Sequence, residues 1–286
     1  MMAFTDISSI AIVGAGTMGQ GIAQISAFAG YDVVLYDLNG DVLKKAEAII
    51  ASNLTKGIER GKLTNEQKEE TLNRISFSVD ENSLVADLVI EAIVEKLDVK
   101  RKLFQRLEEL NKEETILATN TSSIPITRIA ASLNHPERFV GMHFFNPAHI
   151  MKLVEVISGA ATSLAVANTV YELAKKLGKV PVMAKDAPGF IVNRVARHFY
   201  VEGLRVLEED VCDVEGIDRL VESSGFKMGP FRLMDLIGVD TNYSVTESMF
   251  NAFHQDSKFR PSRIQQQKVD AGHHGRKSKK GFYNYD

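Results

Sequence analysis

The 286-residue chain has a single cysteine, Cys212, so no intrachain disulfide can brace it, a usage that fits a reducing compartment. It has no apolar run approaching the roughly 18 residues of a membrane span. Its opening ten residues, MMAFTDISSI, lack both the basic n-region and the apolar h-region of a secretory signal. A soluble, cytoplasmic protein is the expectation, with no membrane partner. Excess positive charge is missing too: 34 Lys and Arg against 37 Asp and Glu leave a formal charge of −3. A phosphate backbone demands a basic face, so nucleic acid is not the main partner. No HExxH or CxxC spacing supports a metal site, and the adjacent His273-His274 does not supply one. No G-x-S-x-G elbow suggests a hydrolase. Internal repeats and low-complexity tracts are absent.

With 44% hydrophobic and 25% charged residues, the chain has the makings of a folded core and length for two domains. The first half alternates short apolar runs with amphipathic stretches, the pattern of βαβ units. Strands are expected at Ile7–Val13, Asp32–Asp37, Ala86–Val94, Thr115–Asn120, Phe139–Phe144 and Lys152–Ile157. Helices are expected at Gly21–Gly30 and Asp41–Gly61, and Thr64 with Gln67 has capping-box spacing for another. After Lys185-Asp186-Ala187-Pro188-Gly189 helical periodicity takes over, at Phe190–Asp210, Val214–Ser223 and Met234–Phe253. The expected architecture is α/β: a Rossmann-type dinucleotide-binding domain over 1–187, followed by an all-helical substrate and dimerisation domain over 188–286.

Gly14-Ala15-Gly16-Thr17-Met18-Gly19 matches G-x-G-x-x-G. Alone the pattern is weak, but here it follows an apolar strand, opens a helix and has Asp37 ending the next strand. Gly14 would allow the tight turn, Gly16 the approach of pyrophosphate, and Gly19 close helix–strand packing. The pyrophosphate would lie on helix N-terminal N–H groups. Asp37 would accept from the ribose hydroxyls and repel a 2′-phosphate, and no Arg or Lys lies between Tyr31 and Asp41 to offset it. NAD is therefore expected over NADP. FAD uses the same fingerprint, so the motif fixes the fold better than the cofactor.

His143 ends an apolar strand in Gly141-Met142-His143-Phe144-Phe145-Asn146-Pro147, and Glu155 interrupts the apolar run Leu153–Ile157. Hydride transfer from an alcohol carbon needs a base for the hydroxyl proton, and histidine suits that role. A carboxylate on its other ring nitrogen would fix the tautomer and stabilise the imidazolium. The bland alternative is a core histidine satisfied by a backbone carbonyl, with the glutamate on a solvent-facing side of its strand.

Thr119-Asn120-Thr121-Ser122-Ser123, His143–Pro147, Met151–Val156 and Pro188-Gly189-Phe190-Ile191-Val192-Asn193-Arg194 together resemble the short-chain L-3-hydroxyacyl-CoA dehydrogenases, with the bacterial 3-hydroxybutyryl-CoA enzymes most similar. The resemblance runs essentially end to end, through Gly275–Lys277 and Lys280–Tyr283. It implies a homodimer that interconverts 3-hydroxybutanoyl-CoA and acetoacetyl-CoA with NAD, with the active site in a cleft between the domains. It makes His143 the acid/base and Glu155 its partner, and gives Ser122 and Asn193 the substrate's 3-oxygen. Glu95, Lys100, Asn146 and Lys277 fall near the nicotinamide end of the cofactor. For Lys277 a solvated basic tail is the alternative. Coenzyme A carries phosphates, and the helix tip with Lys56 and Arg60 offers them a basic rim, although an ordinary charged helix end would look the same. Two other readings stay open. Relatives of this fold oxidise sugar acids, and a crystallin-like relative can keep the fold without catalysis, although an intact Ser122, His143, Glu155 and Asn193 argues against that.

Overall fold

Apolar runs in the first half pair into one mostly parallel sheet, and the amphipathic stretches between them pack over it as helices. A computed structural model describes residues 7–286. Of the ten opening residues judged for a signal, the first six therefore lie outside the described residues. The elements are β1 (Ser9–Val13), α1 (Thr17–Phe28), β2 (Asp32–Tyr36), α2 (Gly40–Glu59), α3 (Asn65–Asn73), β3 (Ile75–Ser78), β4 (Leu88–Glu91), α4 (Leu97–Leu110), β5 (Ile116–Thr119), α5 (Ile126–Ala130), β6 (Phe139–Phe144), β7 (Leu153–Ser158), α6 (Leu164–Lys176) and β8 (Val180–Lys185). The strand order is β3-β2-β1-β4-β5-β6-β7-β8, with β6 and β7 antiparallel and the other pairs parallel. The order reverses between β1 and β4, which makes the carboxyl end of β1 the topological switch point of a Rossmann-type sheet.

Strands β4, β5 and β6 are buried along their whole length, which is why they read as unbroken apolar runs rather than alternating ones. Helix α2 buries Leu43, Ala46, Ile50 and Leu54, one stripe at helical spacing, and Asn39 starts it by accepting from the Asp41 amide. Thr64 and Gln67 form the expected capping box at the head of α3. Phe104 of α4 meets Phe139 at the start of β6 edge to face, centroids 4.6 Å apart. Such a pair contributes about 0.5–1.5 kcal/mol beyond its burial.

Several boundaries differ from the expected ones. The β4 strand stops at Glu91 rather than Val94, because the Glu91 carboxylate takes the Ile93 amide and draws the backbone out of the ladder. Two strands were not anticipated. β3 is only four residues long, and β8 is an edge strand containing Pro181, with Val180, Val182 and Met183 exposed.

The chain divides into two compact units, one ending at Ala187 and the other starting at Pro188. The second holds α7 (Val192–Glu208), α8 (Val214–Ser223), α9 (Pro230–Ile237), α10 (Val239–Ala252) and α11 (Arg263–Asp270). The helix expected over Met234–Phe253 is therefore two. Gly238, at φ +107°, breaks it in a conformation closed to other residues. Likewise α7 starts at Val192, after Gly189 (φ +72°) and Phe190 (φ +48°), so Asn193 is its second residue rather than a turn into it. Tyr200, Leu204, Ile217, Phe231 and Met234 form one core cluster of this unit, with Phe282 and Tyr283 packed on it. Two buried aspartates organise its backbone. Asp218 accepts from the Phe231 and Arg232 amides that open α9, and Asp235 from the Phe282 and Tyr283 amides of the closing segment.

Candidate active site

The glycine turn sits at the switch point, and each glycine meets a different demand. Gly14 has φ +101°, and a Cβ there would lie 2.8 Å from the Ala92 carbonyl oxygen on the chain leaving β4. A Cβ on Gly19 would lie 1.7 Å from the Gly14 oxygen, so α1 could not approach the turn. Around Gly16, its chain neighbours aside, no described residue comes within 4 Å of an added Cβ. The protein itself leaves that space open, as the approach of a dinucleotide backbone requires. Gly16 precedes α1 as its N-cap, no side chain caps the helix and no acidic residue lies in its first turn, so its N-terminal N–H groups and dipole suit an anion. Asp37 accepts from the Ala15 amide at 2.9 Å and from the Asn39 amide at 3.0 Å through separate oxygens. It thus ties the glycine turn to the end of β2 at the place where a ribose would lie. The residues present fit a dinucleotide.

Along the sheet, β5 delivers the Asn120–Ser123 turn and β6 delivers His143 beside it. The antiparallel register sets His143 opposite Glu155, and His143 Nδ1 lies 2.7 Å from Glu155 Oε2. Both are buried, at 5% and 1% exposure, which disposes of the solvent-facing glutamate. Nδ1 donates and the carboxylate accepts, so the tautomer is fixed. The Phe145 ring packs against the imidazole at 4.5 Å. The turn and the strand are tied together directly, because Asn120 Oδ1 accepts from the amide of Phe144 at 2.9 Å.

Glu95, Lys100 and Ser122 come together, joined by a residue that the sequence reading missed. Lys100 is 1% exposed, and its ammonium lies 2.5 Å from Glu91 and 3.3 Å from Glu95. Glu95 Oε1 accepts from the Thr121 hydroxyl at 2.6 Å and from the Ser122 and Ser123 amides at 3.0 and 3.1 Å. Burial pushes the Glu95 carboxyl up, but Lys100, Thr121 and the Ser122 amide outweigh it and hold the carboxyl below its usual range. For Glu91 burial wins and raises the carboxyl, against Lys100, Thr119 and the Ile93 amide.

Asn146 precedes a cis peptide to Pro147 and opens the turn 147–151. A second residue missed in the sequence fixes that turn: Lys179, 8% exposed, donates to the Ala148 and Met151 carbonyls at 2.5 and 2.9 Å. Lys56 lies in the last turn of α2 and Arg60 caps it, both exposed. In the second unit, Lys277 pairs with Asp240 at 2.7 Å, in the first turn of α10. Among the described residues no group of three His, Cys, Asp or Glu side chains could hold a metal, and no helix is long and apolar enough to cross a membrane.

Comparison with known proteins matches residues 9–187 to the NAD binding domain of 3-hydroxyacyl-CoA dehydrogenase, and residues 189–285 to the C-terminal domain of the same family. A 3-hydroxyadipyl-CoA dehydrogenase of Escherichia coli is 49% identical over 98% of this chain, which spans 59% of that protein's length. A probable 3-hydroxybutyryl-CoA dehydrogenase of Deinococcus radiodurans is 44% identical, over 96% of this chain and 99% of its own. The crystal structure of (S)-3-hydroxybutyryl-CoA dehydrogenase from Ralstonia eutropha superposes with a TM-score of 0.95 at 41% identity, covering 98% of this chain and 100% of that one.

Proposed function

This chain belongs to the NAD-dependent 3-hydroxyacyl-CoA dehydrogenase family, and from that premise we propose that it interconverts acetoacetyl-CoA and (S)-3-hydroxybutanoyl-CoA. The observation that carries the reading is the buried His143–Glu155 pair at 2.7 Å, on the strand next to the one that delivers Ser122. With Nδ1 donating to Glu155, Nε2 is the atom that exchanges a proton with the substrate. In reduction the imidazolium gives that proton to the 3-keto oxygen, and Glu155 stabilises the charged ring beforehand. Ser122 and Asn193 donate to the same oxygen as negative charge gathers on it. When bound, NAD(H) would supply the hydride exchanged at C3. Asp37, Glu95, Lys100, Asn146 and Lys277 serve the cofactor, and Lys56 with Arg60 the phosphates of coenzyme A.

Exposed apolar side chains in the second unit, among them Val195, Leu220 and Phe226, support a homodimer, and light scattering in solution tests it. A cytoplasmic location belongs to the same reading. Because a relative at 49% identity is named for 3-hydroxyadipyl-CoA, that thioester is the second substrate to assay.

The deciding experiment follows loss of NADH absorbance with acetoacetyl-CoA, beside NADPH and beside free acetoacetate. Turnover with NADH and the thioester alone supports the reading. Turnover of the free acid would favour a sugar-acid type of activity, and absence of turnover with every pair would favour a non-catalytic relative.

A further inference from the structure

Glu91 ends a strand whose other residues, Leu88, Val89 and Ile90, are apolar, and it is fully buried. Every neighbour within bonding distance donates to it. Oε1 accepts from the Ile93 amide and the Lys100 ammonium, both at 2.5 Å, and Oε2 from the Thr119 hydroxyl at 2.6 Å. Two routes lead from this carboxylate to the turn that carries Ser122. Thr119 Oγ1, oriented by donating to Glu91, accepts from the Thr121 amide at 3.2 Å. Lys100, oriented by Glu91, reaches Glu95 at 3.3 Å, and Glu95 in turn holds the Ser122 and Ser123 amides. Three consecutive amides, of residues 121, 122 and 123, are thereby aimed by Thr119 and by the partly exposed Glu95, both anchored on the buried Glu91.

We propose that Glu91 is a positioning residue for Ser122, acting through Thr119 and through the Lys100–Glu95 pair. The inference rests on the proposed role of Ser122 at the substrate oxygen. Stability alone does not account for the cluster. The buried Glu91 carboxylate and Lys100 ammonium carry a desolvation penalty, and replacing a buried pair by apolar residues of similar volume is often neutral or stabilising. What apolar residues cannot supply is direction, because only acceptors fix where the amides point. Lys100 is held between the two carboxylates and so ties Glu91 to Glu95. The far side of the turn is fixed by Asn120 on the Phe144 amide, so a displacement of residues 121–123 changes the distance between Ser122 and His143 rather than moving both.

Three variants test this: Thr119→Val, Glu91→Gln, and the apolar double replacement Glu91→Leu with Lys100→Met. For each, kcat and KM for acetoacetyl-CoA, NADH affinity by fluorescence, the melting temperature and hydrogen exchange of amides 121–124 in the ligand-free protein are measured. A misplacement of about 1 Å costs on the order of 100-fold in rate. The double replacement is expected to lose about 10- to 100-fold in kcat while it keeps its fold, and Thr119→Val and Glu91→Gln, which leave Lys100 in place, are the variants expected to keep NADH affinity. Thr119→Val should lose less, and all three should exchange faster at amides 121–124 but not in β4 or β5. Wild-type kcat in Thr119→Val and Glu91→Gln, or unchanged exchange at those amides, overturns the proposal even if the double replacement does not fold. Should the wild-type protein fail to turn over acetoacetyl-CoA, the function falls, and the exchange data still decide whether Glu91 sets the turn.

Discussion

Replacing Glu155 by glutamine tests the chemistry at its least forgiving point. The amide keeps the volume of a side chain that is 1% exposed, so the strand pair across β6 and β7 should persist. What changes is the acceptor 2.7 Å from His143 Nδ1. A hydrogen bond to a charged group contributes about 1.5–3 kcal/mol. At about 1.4 kcal/mol per factor of ten, losing that help for the imidazolium lowers the rate by roughly 10- to 150-fold. An amide can also turn its NH2 toward Nδ1, which moves the ring proton to Nε2 and selects the wrong tautomer. In the serine protease triad the equivalent change costs about 10⁴. The expected loss in kcat/KM therefore lies between about 10- and 10⁴-fold. It must be the same in both directions, because an enzyme cannot move the overall equilibrium. The assay is NADH consumption with acetoacetyl-CoA and NADH formation with (S)-3-hydroxybutanoyl-CoA. NADH affinity should stay at the wild-type value, and a net loss of about 1 kcal/mol in stability would lower the melting temperature by only a few degrees. A kcat/KM within threefold of wild type, in a folded variant that binds NADH, would refute the pairing as part of the mechanism.

Three further outcomes are expected. Asp37→Ser removes the carboxylate that would repel a 2′-phosphate, along with its bond to the Ala15 amide. It should weaken NADH binding and raise the NADPH-to-NADH ratio of kcat/KM by about tenfold, and an unchanged ratio would reject the basis for NAD preference. Lys56→Ala with Arg60→Ala, at about 0.5–1 kcal/mol per exposed charge, should raise KM for acetoacetyl-CoA roughly 5- to 30-fold at low salt. The effect should shrink with salt and vanish for a pantetheine thioester that lacks the phosphates, and an equal rise for both thioesters would discard the phosphate rim. Glu95→Gln should change acid stability in a definite direction. Its carboxyl is held below the usual range in the folded protein, so its contribution is present above the unfolded value, about 4.3, and is lost as pH falls through the folded one. Acid-unfolding curves of variant and wild type should converge at the lowest pH and separate above it, whereas parallel curves would contradict the assignment.

The sequence made much of this site legible because some of its signals are local. A glycine fingerprint, a strand before it and an aspartate after the next strand fall within one βαβ unit, and the structure assembles them through the Ala15–Asp37 bond. Helix starts with side-chain caps were equally plain, as at Thr64 and Gln67. Breaks made by positive φ were less so. Gly238 looked like an ordinary glycine within one helical period, because periodicity persists across a break while the backbone does not.

Glu91 and Glu155 show where local reading stops. Both are carboxylates within apolar runs, and both end fully buried. Glu155 stood out because a histidine twelve residues earlier offered an obvious partner on an adjoining strand. Glu91 carried the same signal, but its partners are a hydroxyl ending β5 and a lysine on the helix that follows β4, and a lysine in an amphipathic helix gives no sign in the sequence of being 1% exposed. A buried carboxylate needs donors, and in a parallel sheet the strand's own neighbours supply amides only to the ladder. An acidic residue at the carboxyl end of a buried parallel strand must therefore find its donors in the turns beyond the sheet, which are the segments that hold ligands. On that reasoning the glutamate in Leu88-Val89-Ile90-Glu91 points to the active site as directly as the one in Leu153-Val154-Glu155-Val156.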